Sequence, residues 1–81
     1  MFKIKAPDGT NNLCGKKVAE LRKKHDPPLS QRKLAQMLQV QGYDVDNHFI
    51  RRLELGERFV TDIELVMLAK VLNVSFEELL T

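Results

Sequence analysis

The sequence has very little cysteine and no long apolar run, and both shortages limit what the protein can be. Its single cysteine, Cys14, excludes an internal disulfide and is typical of a reducing compartment. No apolar run approaches the roughly 18–20 residues that a membrane span needs, and the first residues lack the apolar segment of a signal peptide. The sequence therefore predicts a cytoplasmic protein with no membrane partner.

The patterns of catalytic and cofactor-binding proteins are also missing. The chain has no glycine-rich phosphate loop, no nucleophile paired with a base and no recognisable pair of catalytic carboxylates. His25 and His48 lack metal-ligand companions at a workable spacing, and Asp44 and Asp46 are better explained as a loop residue and a helix cap. Cys14 is expected to be a core residue rather than a redox switch. We therefore expect no enzyme, metal site, cofactor or small-molecule ligand.

Charge is almost balanced overall but unevenly distributed along the chain. The net charge of the 81 residues is only +2, which by itself is weak evidence for a nucleic-acid partner. The first half is basic, whereas from Asp62 onward four acids accompany one base, Lys70. Solvated helix faces would explain this uneven charge equally well. The basic half therefore supports nucleic-acid binding only if it coincides with an element that could read bases.

Apolar spacing and capping residues predict an all-α chain of five helices with short connections. Residues 1–12 are interpreted as an N-terminal arm with a turn, in which a short strand at Phe2 to Lys5 is left open. Residues 13–81 are predicted to form one helical domain.

Capping residues delimit the first two helices. Helix 1 is expected from near Asn12 to about Lys24, and the prolines after Asp26 end it. Ser30 is a suitable N-cap for helix 2, and Gly42 is the left-handed residue expected to close that helix. The predicted core residues of these helices are Cys14, Val18, Leu21, Leu34, Ala35, Met37 and Leu38.

The remaining helices show similar signals. Asp46 is expected to cap helix 3, and Gly56 to end it. Thr61 or Asp62 is expected to cap helix 4. The last signals are Asn73, which closes helix 4, and Ser75 with Glu78, which are spaced as a capping box for helix 5.

Helix 3 is the most informative element because its two faces differ in chemistry. At about 100° per residue, Phe49, Ile50 and Leu53 fall on one arc and predict contact with a core. The opposite arc carries amide, imidazole and guanidinium groups, on Asn47, His48, Arg51 and Arg52. Such groups pair with base edges and phosphates, so the pattern is typical of a helix that enters the major groove of DNA.

Three motifs follow one another in order along the chain. They are Ser30-Gln31-Arg32-Lys33-Leu34-Ala35, Ile50-Arg51-Arg52-Leu53-Glu54-Leu55-Gly56 and Leu68-Ala69-Lys70-Val71-Leu72-Asn73-Val74-Ser75. With these motifs the chain resembles, from about Leu13 to Leu80, the helix-turn-helix domain of lambda-repressor-like regulators of the Cro/cI (XRE) family. The resemblance implies a five-helix bundle in which helices 2 and 3 form the DNA-binding unit.

Two loops depart from the family pattern. The segment from His25 to Leu29 is about two residues longer than usual, and the segment from Gln39 to Asp46 is about five residues longer. We expect helix 2 to gain a turn before Gly42, and Val45 to anchor the lengthened turn in the core. Both helices keep their polar faces, so the expected function is unchanged.

The resemblance also assigns base-reading residues. The family's reading positions at the start of helix 3 fall on Asn47 and His48, and Arg52 follows one turn later. Asparagine pairs with adenine in a bidentate manner and arginine with guanine, so Asn47 and Arg52 are the foremost candidates for specificity. Arg51 is assigned to either groove or phosphate. The alternatives left open are a helix-start residue beside its cap for Asn47 and an idle, exposed imidazole for His48.

Phosphate contacts are expected on both sides of helix 3. Gln31 occupies the family position that meets the DNA backbone at the start of helix 2, where unpaired N–H groups also favour an anion. Arg32 and Lys33 are expected to add contacts there, and Arg58 to hold a phosphate beyond helix 3. For Arg58 the alternative is a solvated loop charge.

A glutamate on a DNA-binding helix repels phosphate and needs another explanation. In the family, the residue that matches Glu54 pairs with an arginine of helix 1, which falls on Arg22 once the longer loop is discounted. The resemblance therefore implies an Arg22–Glu54 ion pair that fixes helix 3 against helix 1.

Together these features predict a transcriptional regulator that binds double-stranded DNA sequence-specifically, most simply a repressor that occludes a promoter. Such modules bind as two-fold dimers on half-sites about 34 Å apart. A homodimer through a weak contact of Leu79, Leu80 or the N-terminal arm is left open, formed either by the free protein or only on DNA. The alternative is a protein-interaction module, such as an antitoxin or adaptor, which the low net charge and the lengthened turn would suit.

Overall fold

The computed structural model describes residues 4–81, and within them it contains five α-helices and no strand. The helices are α1 Gly15–Lys24, α2 Gln31–Val40, α3 Asn47–Glu54, α4 Asp62–Leu72 and α5 Phe76–Leu80. The predicted all-α class is confirmed. Of the short strand left open at Phe2 to Lys5, the first two residues lie outside the described part, and the other two are not in a strand. Among the described residues, no helix is long and apolar enough to cross a membrane.

Side-chain caps begin α2, α3, α4 and α5 at positions that the sequence predicted. Ser30, Asp46, Thr61 and Ser75 each accept a hydrogen bond from the backbone N–H three residues later, at 3.0–3.1 Å. The reciprocal capping box forms at Thr61, whose N–H donates to Glu64 Oε1 at 2.9 Å, rather than at Ser75. Each cap satisfies one N–H that a helix start would otherwise leave without a partner.

The start of α1 differs from the prediction because a side chain from outside the helix caps it. Asn12, expected to lie at the helix start, stands three residues before it, and its Oδ1 accepts a hydrogen bond from Gly15 N at 2.8 Å. The Asn12 amide donates to the carbonyls of Leu53, at 3.2 Å, and Arg58, at 2.9 Å. One side chain therefore joins the start of α1 to the end of α3 and the loop that follows it.

The core lies between α1, α2, α3 and α4, and α5 packs on α1 and α4. Its fully buried large side chains come from every helix and are Val18, Leu34, Leu38, Ile50, Leu53, Met67, Leu68 and Leu79. Met37, predicted as a core residue, is only partly buried, whereas Val45 packs against the core as expected. Leu79 is inaccessible, so it cannot contribute to the self-contact left open above, while Leu80 is 41% exposed.

Residues 6–12 contain a turn, in which Gly9 N donates to the Ala6 carbonyl at 2.9 Å, and they lie against the end of α3 and the loop after it. The backbone N–H and side-chain amide of Asn11 donate to the carbonyls of Gly56 and Glu57, each at 2.9 Å. Asp8 pairs with Lys16 of α1 at 2.8 Å, and this ammonium holds the pKa of the Asp8 carboxyl well below its usual range. Residues 6–12 are thus held against the helical domain by hydrogen bonds and an ion pair.

Gly15 marks the closest approach of α1 to the end of α3. A Cβ at this position would collide with the backbone carbonyl of Leu53 and crowd the side-chain oxygen of Asn12. Alanine is normally the better helix residue by about 1 kcal/mol. We nevertheless expect Gly15→Ala to lower the free energy of unfolding by about 1–3 kcal/mol, because overpacking opposes the gain in propensity.

Urea denaturation of Gly15→Ala measures this effect, with Lys23→Ala on the exposed side of α1 as the control. The control is expected to change stability by no more than about 0.5 kcal/mol. An increase in stability for Gly15→Ala would contradict the close approach of α1 and α3.

Candidate nucleic-acid interface

The outer face of α3 consists of Asn47, His48, Arg51 and Arg52. Asn47 is partly exposed and the other three are exposed. None of the four side chains has a hydrogen bond or ion pair with another described residue, so their polar groups are available to a ligand. The inner face is formed by Phe49, Ile50 and Leu53, which are 7%, 0% and 0% exposed. The two faces predicted from helical spacing are confirmed.

Basic and amide side chains also flank this surface at the start of α2. Arg32 and Lys33 are exposed, and neither forms an ion pair with another described residue. Gln31 is partly buried, and its Nε2 donates to Glu54 Oε1 at 3.0 Å. Because Glu54 is the last residue of α3, this hydrogen bond holds the start of α2 beside the end of α3.

The Arg22–Glu54 ion pair implied by the family resemblance is present. Arg22 Nε lies 2.8 Å from Glu54 Oε2, and Arg22 Nη2 lies 2.9 Å from Oε1, which makes the pair bidentate. The side chains are only 11% and 7% exposed, and Arg22 Nη1 also donates to the Leu29 carbonyl at 2.9 Å. Hydrogen bonding to Glu54 raises the pKa of Arg22, although burial opposes it. The carboxylate is therefore neutralised inside the protein and does not face the surface as a free charge.

Arg58 has an internal role that the sequence analysis missed. Its Nη2 lies 2.6 Å from Glu64 Oε2, its Nε donates to the Phe59 carbonyl at 3.2 Å, and its guanidinium carbon is 4.3 Å from the centre of the Phe49 ring. The alternative of a solvated loop charge is wrong. A phosphate contact through the remaining N–H groups stays a prediction. Glu64 was assigned no partner because nothing in local spacing links it to Arg58.

The α2–α3 turn, residues 41–46, lies at the other end of the outer face. Gly42 adopts a φ of 94°, as expected for the residue that closes α2. Tyr43 and Val45 pack against the core, and Asp44 between them is exposed. The turn borders a shallow depression against α3, whose polar lining is Gln39, Asp44, Asp46, His48, Arg52 and Arg58. Asp44 was predicted only as a loop residue, although its position between two apolar residues indicates an outward side chain.

Possible metal ligands and the single cysteine were predicted to have no chemical role. Within residues 4–81, no group of three or more His, Cys, Asp or Glu side chains is placed to hold a metal ion. Cys14 is 1% exposed, and burial raises the pKa of its thiol. Its reactive thiolate form is therefore disfavoured, consistent with the core role expected for it.

A search of family models, curated proteins and solved structures found no match to this chain.

Because the Arg22–Glu54 ion pair is largely shielded from solvent, we expect a single substitution in it to destabilise the fold strongly. Glu54→Gln keeps the size of the side chain but leaves the Arg22 guanidinium without its counter-charge. We expect the free energy of unfolding to fall by about 3 kcal/mol, because removal of one partner strands a buried charge. Denaturant unfolding of the purified variant measures the loss.

Glu20→Gln is the matched control, because Glu20 forms exposed pairs with Lys17 and Lys24. It should unfold at nearly the same denaturant concentration as the unmodified protein, because solvent screens these exposed pairs. If the two variants unfold at the same denaturant concentration as the unmodified protein, the proposed architectural role of Glu54 is wrong.

Proposed function

We propose that the protein binds double-stranded DNA sequence-specifically and acts as a transcriptional regulator, most simply a repressor that occludes a promoter. The observation that carries the proposal is the outer face of α3, where four side chains able to pair with bases and phosphates have no partner among residues 4–81. An exposed α-helix of this kind fits the major groove, in which each base pair presents a distinct set of donors and acceptors.

The surroundings of α3 support contact with the DNA backbone. At the start of α2, the Ser30 hydroxyl caps the N–H of Lys33, which leaves earlier N–H groups of the helix available to a phosphate. Arg32 and Lys33 place two positive charges on the same turn of the helix. These groups would set the position of the protein on the duplex, while α3 would read the bases.

The resemblance to lambda-repressor-like regulators agrees with this arrangement. Under this proposal α2 and α3 act as a helix-turn-helix unit, with Asn47 and Arg52 as the foremost base-reading residues. The turn is longer than in the family pattern, but α2 and α3 still pack against each other and are joined through Gln31 and Glu54. A homodimer formed on DNA is the corresponding assembly.

A protein-interaction module remains the second candidate, and one observation favours it. Large apolar side chains are exposed on α4 and α5, namely Ile63 at 69%, Val66 at 42%, Phe76 at 50% and Leu80 at 41%. Such groups suit contact with another protein. They do not explain the unpaired polar side chains on α3, and for that reason we favour DNA.

Salt dependence and one arginine substitution test the proposal. Selection from a random duplex library is expected to enrich a defined site, and affinity for it should fall steeply with salt, with a logarithmic slope of about −0.9 for each phosphate contact. Arg52→Ala should weaken binding to that site by about 5- to 150-fold, because it removes a base contact worth about 1–3 kcal/mol. Its effect on random duplex should be much smaller.

Lys70→Ala on α4 is the matched control, since it also removes one exposed positive charge. It should leave the preference for the selected site over random duplex unchanged. A flat selected pool, or an equal loss of that preference in both variants, would contradict sequence reading by α3.

A further inference from the structure

Hydrogen bonds hold the backbone of the α2–α3 turn around Asp44, whose side chain is exposed. The N–H of Val45 donates to the Tyr43 carbonyl at 3.1 Å, so the chain bends tightly around Asp44. Gln39 Nε2 also donates to the Val45 carbonyl at 2.7 Å. Because Tyr43 and Val45 pack against the core on either side, the exposed Asp44 side chain is held at the apex of the turn.

Asp44 shares the depression against α3 with the side chains of His48 and Arg52. Its neighbour Asp46 is already engaged, because Asp46 Oδ1 caps α3 by accepting the N–H of Phe49 at 3.0 Å. Asp44 has no hydrogen bond or ion pair with any described residue, Arg52 included. The structure therefore gives this carboxylate no internal role beside the outer face of α3.

An unpaired carboxylate on a DNA-binding surface repels phosphate and must lose water when it enters a groove. A donor from a base offsets that cost. Cytosine presents its N4 amino group in the major groove, and aspartate is one of the side chains that accept a hydrogen bond from it. Guanine, the partner of cytosine, presents the O6 and N7 acceptors that arginine recognises. A carboxylate and a guanidinium that line one depression therefore match the groups that G·C pairs present in the major groove. The carboxylate matches the amino donor of cytosine, and the guanidinium matches the acceptors of guanine.

We propose that Asp44 is a specificity-determining residue that accepts a hydrogen bond from a cytosine amino group beside the base read by Arg52. The inference rests on the proposed DNA-binding function and extends it to the turn. In this arrangement the lengthened turn brings a hydrogen-bond acceptor to the outer face of α3. The charged side chains of that face, Arg51 and Arg52, are both donors.

Site selection with three proteins tests the inference: the unmodified chain, Asp44→Ala and Glu77→Ala. Glu77 is exposed on α5 and its removal changes the net charge by the same amount, so it controls for general electrostatics. Asp44→Ala should lose the preference for cytosine at one position of each half-site by about 5- to 150-fold. Its affinity for random duplex should stay equal or rise. Thermal unfolding should show that both variants remain folded, since neither side chain has a hydrogen bond or ion pair within the described part of the chain.

The outcomes separate the inference from the function on which it rests. If the unmodified protein enriches a motif and Asp44→Ala enriches the same motif, Asp44 does not determine specificity, while DNA binding stands. A uniform rise in affinity with an unchanged motif would mean that Asp44 only repels the DNA phosphates. That result would also overturn the inference. A flat pool for the unmodified protein would remove both proposals.

Discussion

The Glu54 carboxylate accepts three hydrogen bonds from two other helices, and the orientation of α3 depends on them. Two come from Arg22 of α1 and one from Gln31 of α2. A buried charge is stable only when its counter-charge and hydrogen-bond donors are in place, so these contacts permit few alternative arrangements. Because Glu54 ends α3, fixing it also fixes which side of the helix faces outward.

The remainder of α3 is held by contacts of other kinds. Asp46 caps its first turn, the Asn12 amide holds the carbonyl of Leu53, and the Arg58 guanidinium lies over the Phe49 ring. The base-reading candidates therefore lie on a helix that is secured at its start, along its inner face and at its end. Side chains presented on a rigid element can meet a groove with less loss of conformational freedom on binding.

Sequence patterns predicted the structural features that depend on residues close together in the chain. The side-chain caps at Ser30, Asp46 and Thr61 follow from residue type and position, and helical spacing separated the two faces of α3. The Arg22–Glu54 pair was expected only through resemblance to a family, since no short-range pattern connects these residues.

Contacts between distant parts of the chain were missed for the same physical reason. The hydrogen bonds of Asn11 and Asn12 to residues 53–58 join segments more than 40 positions apart, and they turn an expected arm into part of the bundle. The pairing of Arg58 with Glu64 depends on how the loop enters α4, which periodicity does not describe. Local spacing likewise did not show that Asp44 lines the same depression as Arg52.

The most direct test of the central claim is a map of backbone amide shifts by NMR while a selected duplex is added to the ¹⁵N-labelled protein. If the outer face of α3 meets DNA, the largest shifts will fall on residues 31–33 and 47–52, with small changes along α5. Shifts concentrated on α4 and α5, or none at a duplex concentration that saturates binding, would contradict the account and direct attention to the exposed apolar surface.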